Sequence, residues 1–243
     1  MTRVPLYHEV KEKLIQALAA GTWLPGDKIP IERDLAKRYG VGISTVRAAA
    51  SELEAAGILS RRQGKGTFVS EHASQSRLYR FFNLVNADGT REMPLREFES
   101  LRRDRPTPVE REALQLSRCG KRDDVFRLRS TFSLNGRTVG VSDATVPAGL
   151  FPGMSKGGVS NGKLTLYALY QSNYNVNVIN VAADLSADRA PGDVARLLGL
   201  KKGAPVLRIE RRAYTYGDVP VERRTTWVNT ADCKFHVDQG STV

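Results

Sequence analysis

Five polar side chains near the start of the chain have the types and spacing that contact with DNA requires. Arg33 opens one short helical pattern, and Arg47 lies in the first turns of a second one. Ser44 and Thr45 precede Arg47, and Lys65 stands between two glycines. A guanidinium offers a planar fork of donors to guanine or phosphate, and hydroxyls with free N–H groups at a helix start suit a phosphate. These residue types in this order favour DNA as the partner.

The other candidates for DNA contact lie around Lys65, where glycines would let the backbone approach a minor groove. The full predicted set is Arg33, Ser44, Thr45, Arg47, Arg62, Gln63, Gly64, Lys65 and Gly66. Simpler interpretations exist for single members. Arg33 can pair with Glu32 or Asp34 as a solvated helix charge, Ser44 can be a helix cap, and Arg62 can be a solvated hairpin charge.

These residues need a scaffold of two helices and a hairpin, and the sequence predicts one over residues 29–69. Apolar residues at helical spacing predict a helix from Glu32 and a second helix that runs to Ala56 and that Ser44 or Thr45 can cap. Gly40 to Gly42 form the break between them, since glycine tolerates a sharp turn. The segment 58–69 reads as strand, glycine-rich tip and strand. With a preceding helix that starts at Pro5, this order predicts a winged helix-turn-helix.

Composition supports a soluble partner of a polyanion. The 243-residue chain has a formal net charge of +11 and a pI of about 9.9. Its two cysteines, Cys119 and Cys233, have neither disulfide-framework nor zinc-site spacing, so we expect no metal and no cofactor. No apolar run reaches the length of a membrane span or of a signal-peptide core, which predicts a cytoplasmic protein without membrane contact.

Beyond residue 78 the pattern changes to alternating and β-branched segments. Residues 71–78 are polar and lack an apolar face, which predicts a linker between domains 1–70 and 79–243. In the second domain the predicted strands are 125–134, 137–146, 175–182, 205–216 and 219–228. The predicted helices are 108–114, 164–174 and 189–198. This mixture favours an α+β domain around an antiparallel sheet.

The combined motifs of the first domain resemble the GntR family of bacterial transcription regulators. They are Pro5-Leu6-Tyr7, Pro25-Gly26, Glu32-Arg33, Leu35-Ala36, Thr45-Val46-Arg47 and Gly64-Lys65-Gly66-Thr67-Phe68-Val69. The second domain resembles the UTRA effector-binding domain of the HutC subfamily, whose fold is similar to chorismate lyase. It does so at Leu164 to Tyr167, Ala195 to Leu200, Gly203 to Leu207 and Val219 to Glu222. The resemblance implies a homodimer through the second domain, a two-fold operator in double-stranded DNA and a small-molecule effector.

The chain departs from this family pattern in two places. Gly42-Ile43 stands where the family's turn usually has serine and arginine, so one DNA-reading arginine is absent there. An Arg-x-Arg pair that often holds a phosphate or carboxylate falls on Ser130 and Phe132, and a usual pocket glutamate falls on Ser142. These replacements argue against the common sugar-phosphate effectors.

The resemblance and strand parity together give the predicted effector site. Its members are Arg80, Phe82, Ser130, Phe132, Ser142, Tyr167, Glu222 and Arg224. Glu222 and Arg224 share a strand face and can bind a zwitterionic ligand, or they can simply form an ion pair across strands. Tyr167 can equally be a core residue. We expect a small polar effector that can be an anion, with Arg80 or Arg224 in place of the missing arginine pair.

We expect a ligand-responsive transcription regulator that acts as a repressor and is not an enzyme. One alternative is an enzyme of chorismate-lyase-like fold, but the sequence has only three histidines and no catalytic or metal-binding spacing. A second alternative is an architectural DNA binder without sequence preference.

Overall fold

The structure is a computed structural model that describes residues 5–71, 81–116, 123–160 and 165–237. The first of these segments folds as three helices and a hairpin. Helix α1 spans Leu6–Ala19, α2 spans Glu32–Tyr39 and α3 spans Ile43–Ala55. Strand β1 (Leu59–Arg62) pairs antiparallel with β2 (Gly66–Val69) to form the wing. The predicted winged helix-turn-helix is therefore confirmed.

The apolar faces of the three helices form the core of this domain. Val10 and Leu14 of α1 are buried together with Leu35 of α2, and with Val46 and Leu53 of α3. Small alanines of α3 are buried in the same cluster, as close helix packing requires. This packing fixes which face of α3 remains exposed.

The expected capping of α3 by Ser44 or Thr45 is wrong. The helix begins at Ile43, Gly42 is its N-cap, and no side chain accepts a capping hydrogen bond. Gly40 is left-handed, with φ of 67°, and ends α2. The turn therefore leaves the first N–H groups of α3 without a side-chain cap.

The second domain is built on a six-stranded antiparallel sheet in the order β4-β5-β6-β9-β8-β7. Its strands, in chain order, are β4 (Leu95–Asp104), β5 (Val125–Leu134), β6 (Arg137–Pro147), β7 (Asn180–Arg189), β8 (Pro205–Tyr214) and β9 (Pro220–Val228). A separate pair joins β3 (Leu84–Asn86) to β10 (Cys233–Phe235). The α+β fold with an antiparallel sheet is confirmed.

Four α-helices accompany the sheet in the part of the chain that the structure describes. They are α4 (Pro108–Ala113), α5 (Lys156–Ser160), α6 (Leu166–Tyr174) and α7 (Gly192–Leu197). Leu166 and Leu169 of α6 pack against the sheet with Phe126 and Val221, in the largest hydrophobic cluster of the described residues. Helix α7 covers the other face near Val141. The sheet therefore has helices on both faces.

Three differences from the predicted elements stand out. The segment 175–182 was expected as a strand, but strand β7 begins only at Asn180 and continues to Arg189. Strand β4 was not predicted, because it lies at the sheet edge and a bulge after Phe98 interrupts its alternation. The short β3–β10 pair was also not predicted. The predicted linker lies outside the described residues except for Glu71, so the domain bounds stay a prediction.

The two domains contact each other on the side of α1. Tyr216, in a 3-10 turn after β8, is buried in the hydrophobic cluster of the N-terminal domain. Ile179 packs against the same cluster. In the described part of the chain, no helix is both long and apolar enough to cross a membrane.

Candidate DNA-binding surface and effector site

Helix α3 presents the predicted recognition residues on its exposed side. Ser44 and Arg47 are exposed, and Thr45 is half-buried. Arg33 is exposed on α2. The opposite side of α3 is fully buried through Val46 and Leu53. A helix held in this way can enter a major groove without unfolding its domain.

Glu32 organises the positive charges around α3. Its carboxylate accepts a hydrogen bond from Arg47 Nε at 2.9 Å and another from Arg61 Nη2 at 3.1 Å. The Arg47 side chain is nevertheless 61% exposed, so it can exchange this partner for a base or a phosphate. Arg33 makes no ion pair within the described residues, so the expected alternative pairing with Glu32 or Asp34 is not what the structure contains.

The wing places Lys65 at its tip. The Lys65 N–H donates a hydrogen bond to the Arg62 carbonyl at 2.9 Å, which closes the turn. The Lys65 side chain is exposed. Gly64 and Gly66 have φ of 71° and 114°, a region that disfavours other residues. At Gly66 a Cβ atom would also lie 2.6 Å from Lys28 Cε. These glycines are therefore explained by the turn itself, whether or not DNA approaches them.

Arg62 lies next to the wing tip, and its guanidinium lies 4.4 Å from the centre of the Phe68 ring. Arg62 also lies 3.7 Å from a carboxylate oxygen of Glu71. Gln63 is exposed beside it. The structure thus places the start of α3, with the exposed Arg47, and the wing tip, with the exposed Lys65, in one domain.

The predicted effector residues of the second domain meet on one face of the large sheet. Ser130 on β5 is paired in register with Ser142 on β6, and Ser142 with Thr226 on β9. The Ser142 and Thr226 hydroxyl oxygens are 3.2 Å apart. Ser130 and Ser142 are both nearly fully buried. They form a line of hydroxyl groups across three strands.

Glu222 is the buried centre of the next group. Its carboxylate accepts hydrogen bonds from Tyr167 Oη at 3.0 Å, Tyr170 Oη at 2.8 Å and Arg224 Nη2 at 2.5 Å. Both carboxylate oxygens are therefore occupied. The ion pair with Arg224 lies within one strand, which corrects the expectation of a cross-strand pair.

The electrostatics of this group follow from burial and from the Glu222 charge. Burial and the negative charge of Glu222 raise the pKa of Tyr167 to about 12. Burial would lower the pKa of Arg224, but the charge of Glu222 more than offsets it and raises that pKa. At neutral pH the tyrosines are thus hydrogen-bond donors, and Arg224 is a cation.

Aromatic rings flank the hydroxyl line. Phe132 packs over Gly140, where a Cβ atom would overlap its ring. Phe82 contacts Phe132 edge-on, with 5.9 Å between ring centres. Phe81 contacts Tyr167 in the same way at 5.6 Å. The structure therefore brings together every predicted effector residue except Arg80, which lies outside the described residues.

Two arginines of this face were not among the predicted site residues. Arg96 on β4 donates from Nη1 to Ser130 Oγ at 2.6 Å. Arg211 on β8 donates from Nη1 to the carbonyl of Phe81 at 2.7 Å. Strand parity along 205–216 could have indicated Arg211, because it is paired in register with Arg224. Arg96 could not be found, since its strand was not predicted.

Comparison with known proteins agrees with this architecture. Residues 6–69 match the family described as bacterial regulatory proteins, gntR family, and residues 93–233 match the UTRA domain. The chain is 31% identical to the histidine utilization repressor of Pseudomonas putida over 221 residues, 89% of this chain and 85% of that protein.

The chain belongs to the GntR family.

It combines the GntR DNA-binding domain with a UTRA domain, as in the HutC subfamily, and it is a transcription regulator rather than an enzyme. A second relative is the probable fructoselysine utilization operon transcriptional repressor of Escherichia coli K12. It is 27% identical over 221 residues, which are 89% of this chain and 87% of that protein.

A solved structure extends the comparison to three dimensions. It is the ligand-binding domain of a GntR-family regulator from Bordetella bronchiseptica. The match covers 67% of this chain and 99% of that chain. It has a TM-score of 0.62 and 28% identity. The chain thus has the parts of a GntR regulator that binds DNA and a small-molecule effector.

Proposed function

We propose that the chain is a repressor whose α3 reads a two-fold operator and whose affinity for that operator depends on an effector bound at the Glu222 face. The observation that carries the proposal is the pairing of two sites in one chain. The exposed α3 and wing form a basic surface, and the second domain holds a buried polar cluster. Relatives that share both domains are named as repressors of utilization operons.

On the DNA side, we assign base-edge contacts to Arg33 and Arg47. Both side chains are exposed, Arg33 in the first turn of α2 and Arg47 in the first turns of α3, and guanidinium suits guanine. Ser44 and Thr45 stand beside uncapped N–H groups, a suitable place for a phosphate. Lys65 and its neighbours Arg62, Gln63, Gly64 and Gly66 contact the backbone or minor groove.

On the effector side, the ligand contacts the hydroxyl line and Arg224, with Phe82 and Phe132 as apolar walls. Tyr167 and Glu222 hold Arg224 in place, since both Glu222 oxygens already accept hydrogen bonds from within the protein. Arg80 is assigned to the same site from the family resemblance. The two named relatives serve the use of histidine and of fructoselysine, and a small polar compound fits this pattern.

We assign dimerisation to the second domain, at the free edge of β7. This strand is exposed on both faces over most of its length, and its Leu185 side chain is 46% exposed. A ten-residue edge strand is normally covered by another element or another chain. A two-fold dimer implies a palindromic operator with half-sites about one helical turn apart. The protein acts in the cytoplasm, where its DNA lies.

Footprinting of the gene's own upstream region tests this function. We expect two protected half-sites related by a palindrome, and loss or change of protection when the correct metabolite is added. Effector candidates come from a thermal-shift screen against the wild type and Arg224→Ala, and a true effector should stabilise only the wild type. Uniform weak protection along the fragment would instead indicate an architectural DNA binder.

A further inference from the structure

Among the described residues, Arg96 is a cation on the effector face without a carboxylate in ion-pair contact. It lies on the edge strand β4 in register with Phe132, so its side chain reaches over the face that carries Ser130. Its guanidinium donates to Ser130 Oγ at 2.6 Å and lies 5.7 Å from the centre of the Phe132 ring. Within the described residues, no carboxylate lies within 4 Å of it. A serine hydroxyl accepts one of its five donors and does not neutralise it.

On the opposite face of the sheet, three arginines form ion pairs with carboxylates. There Arg127 is paired with Glu110 at 2.7 Å, and Arg129 with Asp143 at 2.7 Å. Arg223 lies 3.2 Å from Glu210. Each of these cations has a carboxylate partner, as partly buried cations usually do. Arg96, which has no carboxylate partner among the described residues, therefore differs from these three arginines.

Charge on the effector face is out of balance. Arg96, Arg211 and Arg224 contribute three positive charges, and Glu222 is the one carboxylate that the described strands of the sheet turn to this side. Burial, reinforced by the positive charge of Arg224, lowers the pKa of Arg96 to about 10, so it remains a cation at neutral pH. Glu222 already pairs with Arg224, so the charge of Arg96 has no neutralising carboxylate among the described residues, and an unbalanced buried charge is costly.

Unsatisfied donors point to the same place. Within the described residues, Arg224 Nε and Arg211 Nε are buried and have no hydrogen-bond partner. The Arg224 side chain is only 7% exposed, and its positive charge acts on Arg96. Buried N–H groups nearly always have an acceptor, so the orphan donor of Arg224 indicates a missing acceptor near Arg96. An oxyanion would satisfy both the charge of Arg96 and this donor.

We propose that Arg96 is the specificity-determining residue of the effector site, and that it binds a carboxylate or phosphate group of the effector together with Arg224 and the Ser130 hydroxyl. The inference rests on the proposed function for the position of the site. Arg96 replaces, from a different strand, the cation that Ser130 and Phe132 cannot supply. Its planar fork suits two oxygens of one oxyanion.

The test uses the full chain and two simple probes, inorganic phosphate and acetate, titrated at constant ionic strength by calorimetry and thermal unfolding. The variants are Arg96→Gln, Arg96→Lys and Arg103→Gln. The last removes an equal charge from the same strand, where Arg103 is 58% exposed and paired with Asp124. Phosphate and acetate as separate arms show which oxyanion the site prefers.

We expect saturable binding of at least one probe to the wild type and to Arg103→Gln. Arg96→Gln should bind at least tenfold more weakly, and Arg96→Lys should fall between, because it keeps the charge without the fork. Without anion, Arg96→Gln should melt at the same temperature as the wild type or higher, since an unbalanced charge is gone. A purely structural Arg96 would lower that temperature.

The proposal is overturned if neither probe binds the wild type saturably, if Arg96→Gln binds within threefold of it, or if the anion-free variant melts lower. Operator binding of the same preparations is measured separately. If the wild type shows no preference for its operator, the proposed function is contradicted. The anion titrations test only the role of Arg96.

Discussion

Gln171 Nε2 donates a hydrogen bond to the backbone carbonyl of Ser70, at 3.2 Å. Ser70 follows the last strand of the wing, and Gln171 lies on α6 one residue after Tyr170, which holds Glu222. The same amide contacts Asn177 Oδ1 at 2.6 Å. Helix α6 therefore touches the effector cluster on one side and the DNA-binding domain on the other.

This contact predicts that Gln171→Leu uncouples the two sites. Leucine keeps the volume but cannot donate to Ser70. We expect the operator affinity and the effector affinity of the variant each to stay within about threefold of wild type. The factor by which the effector changes operator affinity should fall at least fivefold, since a typical coupling free energy is about 1–3 kcal/mol. Fluorescence anisotropy with and without effector measures it. Asn173→Leu, an exposed neighbour on α6, is the control, and equal losses in both variants would refute the link.

A second prediction separates base reading from phosphate contact. Arg47→Ala should cost about 1–3 kcal/mol of operator binding and should spare random DNA, because it removes a base contact. Lys65→Ala should weaken binding to both DNAs and reduce the salt slope by about 1. Salt titrations of operator and random duplexes measure both effects. Lys201→Ala, on an exposed turn of the second domain, should change neither. A sequence-selective loss in Lys65→Ala would contradict the assignment.

Gly140 gives a third prediction, because the Phe132 ring occupies the space of its missing side chain. Gly140→Ala should destabilise the protein by about 1–3 kcal/mol, as overpacking does, and should weaken effector binding by displacing Phe132. Urea unfolding gives the stability. Gly149→Ala has no atom within 4 Å of its new Cβ and serves as control. Adding Phe132→Leu to Gly140→Ala should restore part of the stability; no recovery would show that the strain has another origin.

Glu110 gives a prediction about pH. It is buried and accepts hydrogen bonds from Arg127 Nη2 at 2.7 Å and Thr145 Oγ1 at 3.0 Å. Burial would raise the pKa of Glu110, but the hydrogen bond from Arg127 and those of Thr107 and Thr145 lower it to about 2. A lowered folded-state pKa stabilises the fold above the unfolded pKa of about 4.5 and loses that contribution as pH falls towards 2.

Glu110→Gln should therefore cost on the order of 3 kcal/mol at pH 7, since it breaks a buried pair. Its free energy of unfolding should then fall less than that of the wild type between about pH 4.5 and pH 2. Denaturant unfolding across this range measures both effects. Glu112→Gln, exposed on the same helix, should behave like the wild type. Parallel curves for Glu110→Gln and the wild type would contradict the assignment.

The DNA-binding domain was predictable because its signals are local. Apolar spacing set α2 and α3, and glycine chemistry set the turn after Tyr39 and the wing tip. The cap of α3 was missed, since the helix begins at Ile43 and its N-cap is Gly42, two residues before Ser44. Pairing of Arg47 with Glu32 was also beyond the sequence, because those residues are fifteen positions apart and meet only when the helices pack.

The effector face was predictable only in part. Strand parity placed Glu222 and Arg224 together, but their partners Tyr167 and Tyr170 come from a distant helix. Edge strand β7 is exposed on both faces and lacks alternation, and a bulge after Phe98 interrupts the alternation of edge strand β4, so both sequences resemble loops. For that reason the sequence alone did not predict that Arg96 belongs to the effector site.

The recognition role of α3 is tested most directly by measuring affinity through fluorescence anisotropy. The labelled duplex carries the footprinted upstream site and is compared with a shuffled duplex at about 150 mM salt. We predict that the wild type binds the upstream site more than about a thousandfold tighter than the shuffled duplex. The Arg33→Ala/Arg47→Ala double variant should lose most of this preference. Equal affinity of the wild type for the two duplexes, or full retention of the preference by the double variant, would contradict a recognition role for α3.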